Sequence, residues 1–151
     1  MAKRSKKESR EVRPYLIAAD LVMIPSKKIR NVDLDKDGKI DGFQFDIANP
    51  FYTAEPVSSA RGLNVTVDSE KIDPDRISFV LRDQRIGIKD MLTLYEVSWG
   101  FGEVASVYIE KSGGLKKGSH EVECTLYLRP SAGDYGVGDM EYPKKTTMIT
   151  E

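Results

Sequence analysis

His120-Glu-Val-Glu-Cys-Thr-Leu-Tyr-Leu-Arg129 is the stretch that decides the fold. His120, Val122, Cys124, Leu126 and Leu128 fall on one parity, and Glu121, Glu123, Thr125, Tyr127 and Arg129 on the other. Successive strand side chains point to opposite faces, so this period of two presents an apolar set to a core and a polar set to water. The same alternation recurs in Lys28 to Leu34, Lys39 to Ile47, Leu63 to Val67, Arg76 to Arg82 and Val104 to Lys111. Turn-forming residues separate the runs at Asp37-Gly38, Asp68-Ser69, Asp73-Pro74, Gly113-Gly114 and Gly118. Tyr15 to Ile24 is apolar and too short for periodicity to tell strand from helix; it is read as strand. No later stretch carries an apolar stripe of helical spacing, so many short strands with frequent turns predict an all-β chain. The expected architecture is an antiparallel β-sandwich of jelly-roll or Ig-like type.

The 151 residues provide for one ordinary domain, here 15–130. Before it, residues 1–14 carry six bases against two acids, a local charge of +4, while the remainder has 17 bases against 22 acids, or −5. So polar a leader is expected to be a disordered arm, either simply solvated or bound to a partner. After the domain, 131–151 mixes Gly133, Gly136, Gly138 and Pro143 with few apolar residues and reads as a loop and loose C-terminal tail. A net charge of −1 sets up no field for nucleic acid or an anionic membrane, and no run approaches the roughly 20 apolar residues of a spanning helix. No secretory signal is evident, which makes the cytoplasm the expected location.

Composition also removes most catalytic devices. One Cys, Cys124, allows no internal disulfide, and one His, His120, cannot build a Cys/His zinc site. His120 opens the inner face of its strand, where backbone groups at a sheet corner can satisfy both nitrogens; Cys124 on the same face reads as a small buried hydrophobe. The sharpest local motif runs from Asp33 through Asp35, Asp37 and Gly38 to Asp41, matching positions 1, 3, 5, 6 and 9 of an EF-hand-type calcium loop. Position 12, which should supply a bidentate carboxylate, is Gln44, and strand-like flanks favour a plain hairpin at Asp37-Gly38. Two aromatic clusters remain, Asn49-Pro50-Phe51-Tyr52 with Pro56, and Trp99-Gly-Phe101-Gly-Glu103. Aromatic and Gly-rich loops of this kind either offer a surface for a sugar, an aromatic ring or a partner protein, or cap the ends of the core.

Gly42-Phe-Gln-Phe45, Pro50-Phe-Tyr52 with Pro56 and Ser58, Val65-Thr-Val-Asp68, Trp99-Gly-Phe-Gly-Glu103 and Gly113-Gly-Leu-Lys-Lys-Gly118-Ser-His120 follow one another in an order that resembles the β subunit of bacterial C-glycoside deglycosidases. The resemblance spans roughly residues 28 to 130 and departs from the pattern at Asp68-Ser69, where Asp-Gly is expected. It implies a small β-sandwich subunit with no catalytic residue and no cofactor of its own, working in a hetero-oligomer. The partner it implies is a larger α subunit similar to a sugar-phosphate-isomerase barrel, holding a divalent metal, manganese, and cleaving the carbon–carbon bond of 3-oxo-C-glycosides to release the aglycone. It places Phe51, Tyr52, Pro56, Trp99 and Phe101 near that partner or its substrate. The competing reading is a self-contained carbohydrate-binding or calcium-stabilised β-sandwich module.

Overall fold

The computed structural model describes residues 23–51, 53–129 and 140–151. The leader 1–14, most of the 15–24 segment, Tyr52 and residues 130–139 lie outside the described residues. Among the described residues the strands are β1 (Lys28–Val32), β2 (Gly42–Ala48), β3 (Glu55–Pro56), β4 (Ala60–Val67), β5 (Glu70–Lys71), β6 (Ile77–Leu81), β7 (Gln84–Gly87), β8 (Ser98–Trp99), β9 (Val104–Glu110), β10 (Gly118–Leu128) and β11 (Met140–Thr150). Among the described residues helix is confined to short 3-10 turns at Val57–Ser59, Pro74–Arg76 and Ile88–Thr93. The chain is therefore all-β, as the alternation predicts.

Nine strands form one curled sheet in the order β5-β4-β10-β11-β1-β2-β9-β6-β7, and β3 and β8 make a separate two-stranded ribbon. The sheet is joined through β1, which divides its pairing. Lys28 and Ile29 run parallel to Ile149 and Thr150 of β11, while Arg30, Asn31 and Val32 run antiparallel to Gln44, Phe43 and Gly42 of β2. The fully antiparallel pattern expected from the sequence thus gives way at one junction, because β1 and β11 enter the sheet in the same direction. Inward residues from both sides of that junction share one core: Phe43, Phe45 and Ile47 of β2, Phe79 of β6 and Val107 of β9 cluster with Leu63 and Val65 of β4 and Val122, Cys124, Leu126 and Leu128 of β10. Each large apolar side chain fully buried in this way contributes about 1.5–3 kcal/mol.

Three local expectations are corrected. The loose C-terminal tail is not loose over 140–150: β11 pairs along its whole length with β10, from Gly118↔Thr150 to Leu128↔Met140, burying Tyr142 and Met148. Pro143 is tolerated because, among the described residues, β1 reaches only Ile149 and Thr150 and nothing pairs with the other side of β11 at Pro143. Second, Met23 and Ile24, at the end of the apolar 15–24 segment, form a bend and not a strand, with the Met23 carbonyl accepting from the Ala48 N–H at 2.8 Å. Third, Asp37-Gly38 is not a tight hairpin. The connection between β1 and β2 runs from Asp33 to Asp41 and is shaped by its own carboxylates, Asp33 accepting from the N–H groups of Asp37 and Gly38 and Asp41 from those of Leu34 and Asp35. Two-residue turns occur elsewhere, at Asp68-Ser69 (φ +48° and +68°) and Arg82-Asp83 (φ +49° and +66°), the mirror-type geometry that matches strand twist, built here without glycine.

Candidate functional site

The loop after β2, the β6–β7 turn and the β8–β9 turn gather at one end of the sheet, where both aromatic clusters lie. Asn49 ties them together. This buried side chain shares its N–H groups among the carbonyls of Thr53 (3.0 Å), Trp99 (3.1 Å) and Gly100 (3.2 Å), and its oxygen accepts from the Phe51 N–H at 2.9 Å. Phe51 and Trp99 are both buried. Trp99, 1% exposed, meets Phe79 edge-on with centroids 4.9 Å apart, and its indole N–H donates to the Glu103 carbonyl at 2.8 Å. Pro56 is half-buried in the ribbon opposite Ser98. Glu55, also buried, accepts from the hydroxyls of Thr53 and Ser59.

Glu103 closes the β8–β9 turn. Its N–H donates to the Gly100 carbonyl at 3.0 Å and its carboxylate accepts from the Gly100 N–H at 2.8 Å. Arg82, reaching over from the β6–β7 turn, donates to both Glu103 carboxylate oxygens and to the Ser98 carbonyl. The Gly100 N–H first, and then the Arg82 guanidinium, hold the Glu103 carboxyl below its ordinary range. Gly102 takes φ +66°, where a β-carbon would be strained, and the turn leaves Phe101 at its tip. Of the five aromatic and proline residues singled out from the sequence, Phe51 and Trp99 are core caps, Pro56 is half-buried, Tyr52 lies outside the described residues, and Phe101 alone is broadly exposed at 69%.

His120 is the third residue of β10. Its Nδ1 lies 2.7 Å from the Asp68 carboxylate and its Nε2 2.6 Å from the Lys116 carbonyl, so a carboxylate takes the place of one of the two backbone partners expected. An oxygen acceptor on each side favours the protonated ring, in which both nitrogens donate and neither has a lone pair for a general base. Partial burial opposes the charged ring, but Asp68 and Lys116 together outweigh it and raise the pKa above its ordinary value. Asp68 is lowered by His120 and by the Glu121 N–H. The sign follows from linkage: the His120 contribution is full below about pH 6.5 and is lost as pH rises through the raised folded value, and the Asp68 contribution is present above about pH 3.9 and is lost as pH falls through the lowered one. Because Asp68 is half-exposed, the pair is expected to contribute no more than about 1 kcal/mol. An NMR titration should find the His120 midpoint above 6.5 in the native chain and lower in Asp68→Asn; a midpoint at or below 6.5 in the native chain would contradict this geometry. Cys124 is completely buried and its thiol is pushed up to about 12, which removes it as a nucleophile.

At the opposite end of β2, Asp33, Asp35 and Asp37 bring one carboxylate oxygen each to within 4.8 Å of one another, beside an open cleft of about 400 Å³. Asp41, the position-9 residue, is engaged: one oxygen accepts from Leu34 and Asp35, the other from the Tyr108 hydroxyl at 2.7 Å. Tyr108 reaches it because Gly42 has no side chain; a β-carbon there would stand 2.6 Å from the Tyr108 hydroxyl. Gln44, at position 12, is in the ladder between Arg30 and Tyr108. With the ninth ligand committed and the twelfth neutral, calorimetry is expected to detect no calcium binding at micromolar concentration. A micromolar isotherm abolished by Asp33→Ala would contradict this.

Asn49 and Glu103, which brace the aromatic end, are not distinguishable in the sequence from any polar loop residue; the one signal is their presence inside the two aromatic clusters. The model of the family described as "C-glycoside deglycosidase beta subunit" matches residues 19–131. A C-glycoside deglycosidase beta subunit from Eubacterium cellulosolvens is 28% identical over 127 residues, covering 84% of this chain and 86% of the relative. A 3′-dehydrocarminate deglycosidase beta subunit from a Microbacterium species is 32% identical over 88 residues, covering 58% of this chain and 66% of the relative.

Proposed function

Because the chain belongs to the C-glycoside deglycosidase beta subunit family, we propose that it is the noncatalytic subunit of a cytoplasmic, heteromeric lyase that cleaves the carbon–carbon bond between a 3-oxo sugar and its aromatic aglycone. The observation that carries this reading is the family match across residues 19–131. The name of the Microbacterium relative, a 3′-dehydrocarminate deglycosidase, supports a sugar already oxidised at C3. A C3 ketone acidifies the C2–H; once that proton is removed the electron pair forms a C1–C2 double bond as the C1–aglycone bond breaks, and the aglycone carbon leaves with the bonding pair and takes up a proton. That chemistry calls for a base near neutrality and an electrophile at the ketone. His120 has both nitrogens engaged and Cys124 is buried with a raised pKa, so neither is suited to the base role. Both functions are assigned to a barrel-type α subunit, whose divalent metal, manganese, would polarise the ketone. The Asp33, Asp35 and Asp37 carboxylates accept from N–H groups of their own loop and lie at the opposite end of β2 from the aromatic clusters.

The part left to this chain is to bind the α subunit and shape the surroundings of its active site with the aromatic end. Co-expression with an isomerase-like barrel protein from the same genome tests it. The two chains are expected to co-purify and to release aglycone from a 3-oxo-C-glycoside, with this chain alone inactive. Turnover by the isolated chain, abolished by His120→Ala without unfolding, would overturn the assignment.

A further inference from the structure

We propose that the Gly100–Glu103 turn is a preformed prong that seats the Phe101 ring in an apolar pocket of the catalytic subunit; this rests on reading the chain as a β subunit. Phe101 is 69% exposed, and of the seven large hydrophobic side chains exposed among the described residues, four (Leu92, Tyr95, Phe101 and Val104) come from the segment 92–104. Flexibility does not account for this exposure, because the backbone on both sides of Phe101 is fixed by groups within the protein. Asn49 holds the Gly100 carbonyl, the Glu103 carboxylate holds the Gly100 N–H, and the Trp99 indole and the Asn49 N–H both donate to the Glu103 carbonyl. The fold thus commits buried polar groups to positioning a ring that stands mostly in solvent.

Such an arrangement favours binding in two ways. An aromatic side chain with two rotatable bonds on a fixed turn loses little conformational entropy when seated, which is the advantage of a preorganised anchor. The charges flanking the ring, Arg82 and Glu103, are paired with each other, so closing a partner surface over the turn strands neither of them. The complementary site is accordingly apolar and concave, without a charged group aimed at the ring. The family supplies the occupant: a β subunit requires a face for its partner, and this segment holds the greatest share of exposed apolar side chains that the described residues show.

The test uses the co-expressed complex. Phe101→Ala is expected to raise the dissociation constant about 30-fold or more, as loss of a buried aromatic anchor does, with the isolated chain's denaturation midpoint unchanged. Phe101→Leu should lose less. Loosening the brace with Arg82→Ala should weaken assembly when Phe101 is present and have no further effect when Phe101 is Ala, a coupling that a purely structural Arg82 would not produce. A dissociation constant unmoved by Phe101→Ala overturns the proposal. So does a raised KM with assembly intact, which would make the ring a substrate contact, and so does loss of self-association alone, which would make the occupant a second copy. Failure of the native chains to assemble at all is a different result: it removes the β-subunit reading, and the prong with it.

Discussion

Trp99→Ala is expected to lower the stability of the isolated chain by about 3–5 kcal/mol, the cost of deleting a large aromatic from a packed core. The indole packs edge-on against Phe79 and donates to the Glu103 carbonyl, so truncation leaves both a cavity and a carbonyl that has lost a donor. At a urea slope of about 1–3 kcal/mol per molar the midpoint should fall by about 2 M. Phe101→Ala, two residues away and exposed, should stay within about 0.5 kcal/mol of the native chain. The contrast separates the two readings that the sequence leaves open for this cluster. If Trp99→Ala leaves the midpoint in place and weakens only assembly or turnover, Trp99 is not the core cap described here.

The second large effect is at Asn49. Asn49→Ala removes the donor shared by three carbonyls and the acceptor for the Phe51 N–H, within a buried knot where each unsatisfied group costs about 1–3 kcal/mol. A loss of about 3 kcal/mol is expected. Asn49→Asp, nearly the same shape, should be worse at neutral pH, because a carboxylate would face the oxygens of Thr53, Trp99 and Gly100 with no proton to offer. The introduced carboxyl would carry a raised pKa in the folded state, so this variant, unlike Asn49→Ala, should recover stability as pH falls and the group protonates. Chemical denaturation at pH 5 and pH 8 measures the difference. Equal loss for both variants at both pH values would contradict the donor geometry assigned to Asn49.

The long strands of the sheet were legible because burial imposes a period of two. β2, β4, β6, β9 and β10 each present apolar residues on the inward parity, and the structure places them within one to three residues of the expected limits. β11 obeys the same period, but its inward positions include Lys144, Thr146 and Thr150 beside Tyr142 and Met148, and Pro143 reads as a breaker; only the neighbouring β10 makes the strand intelligible. The Arg82-Asp83 turn escaped because positive φ without Gly or Asn leaves no compositional mark. At the candidate site the residue types were readable but their division of labour was not. Phe51, Trp99 and Phe101 are alike in sequence, and what buries two and exposes the third is the approach of Asn49, Arg82 and Glu103 from three separate segments.

The place of β11 constrains how the molecule comes to be. It is synthesised after every other described strand, yet it stands in the middle of the sheet, with β10 on one side and Lys28 and Ile29 of β1 on the other. Contacts spanning some 120 residues give the fold a high contact order and a slow search. A nascent chain halted before Met140 would hold β10 and β1 as open edges with their backbone groups unpaired, the state most prone to aberrant strand pairing. Completion of the sheet thus waits until β11 itself has been made and can reach both β10 and β1.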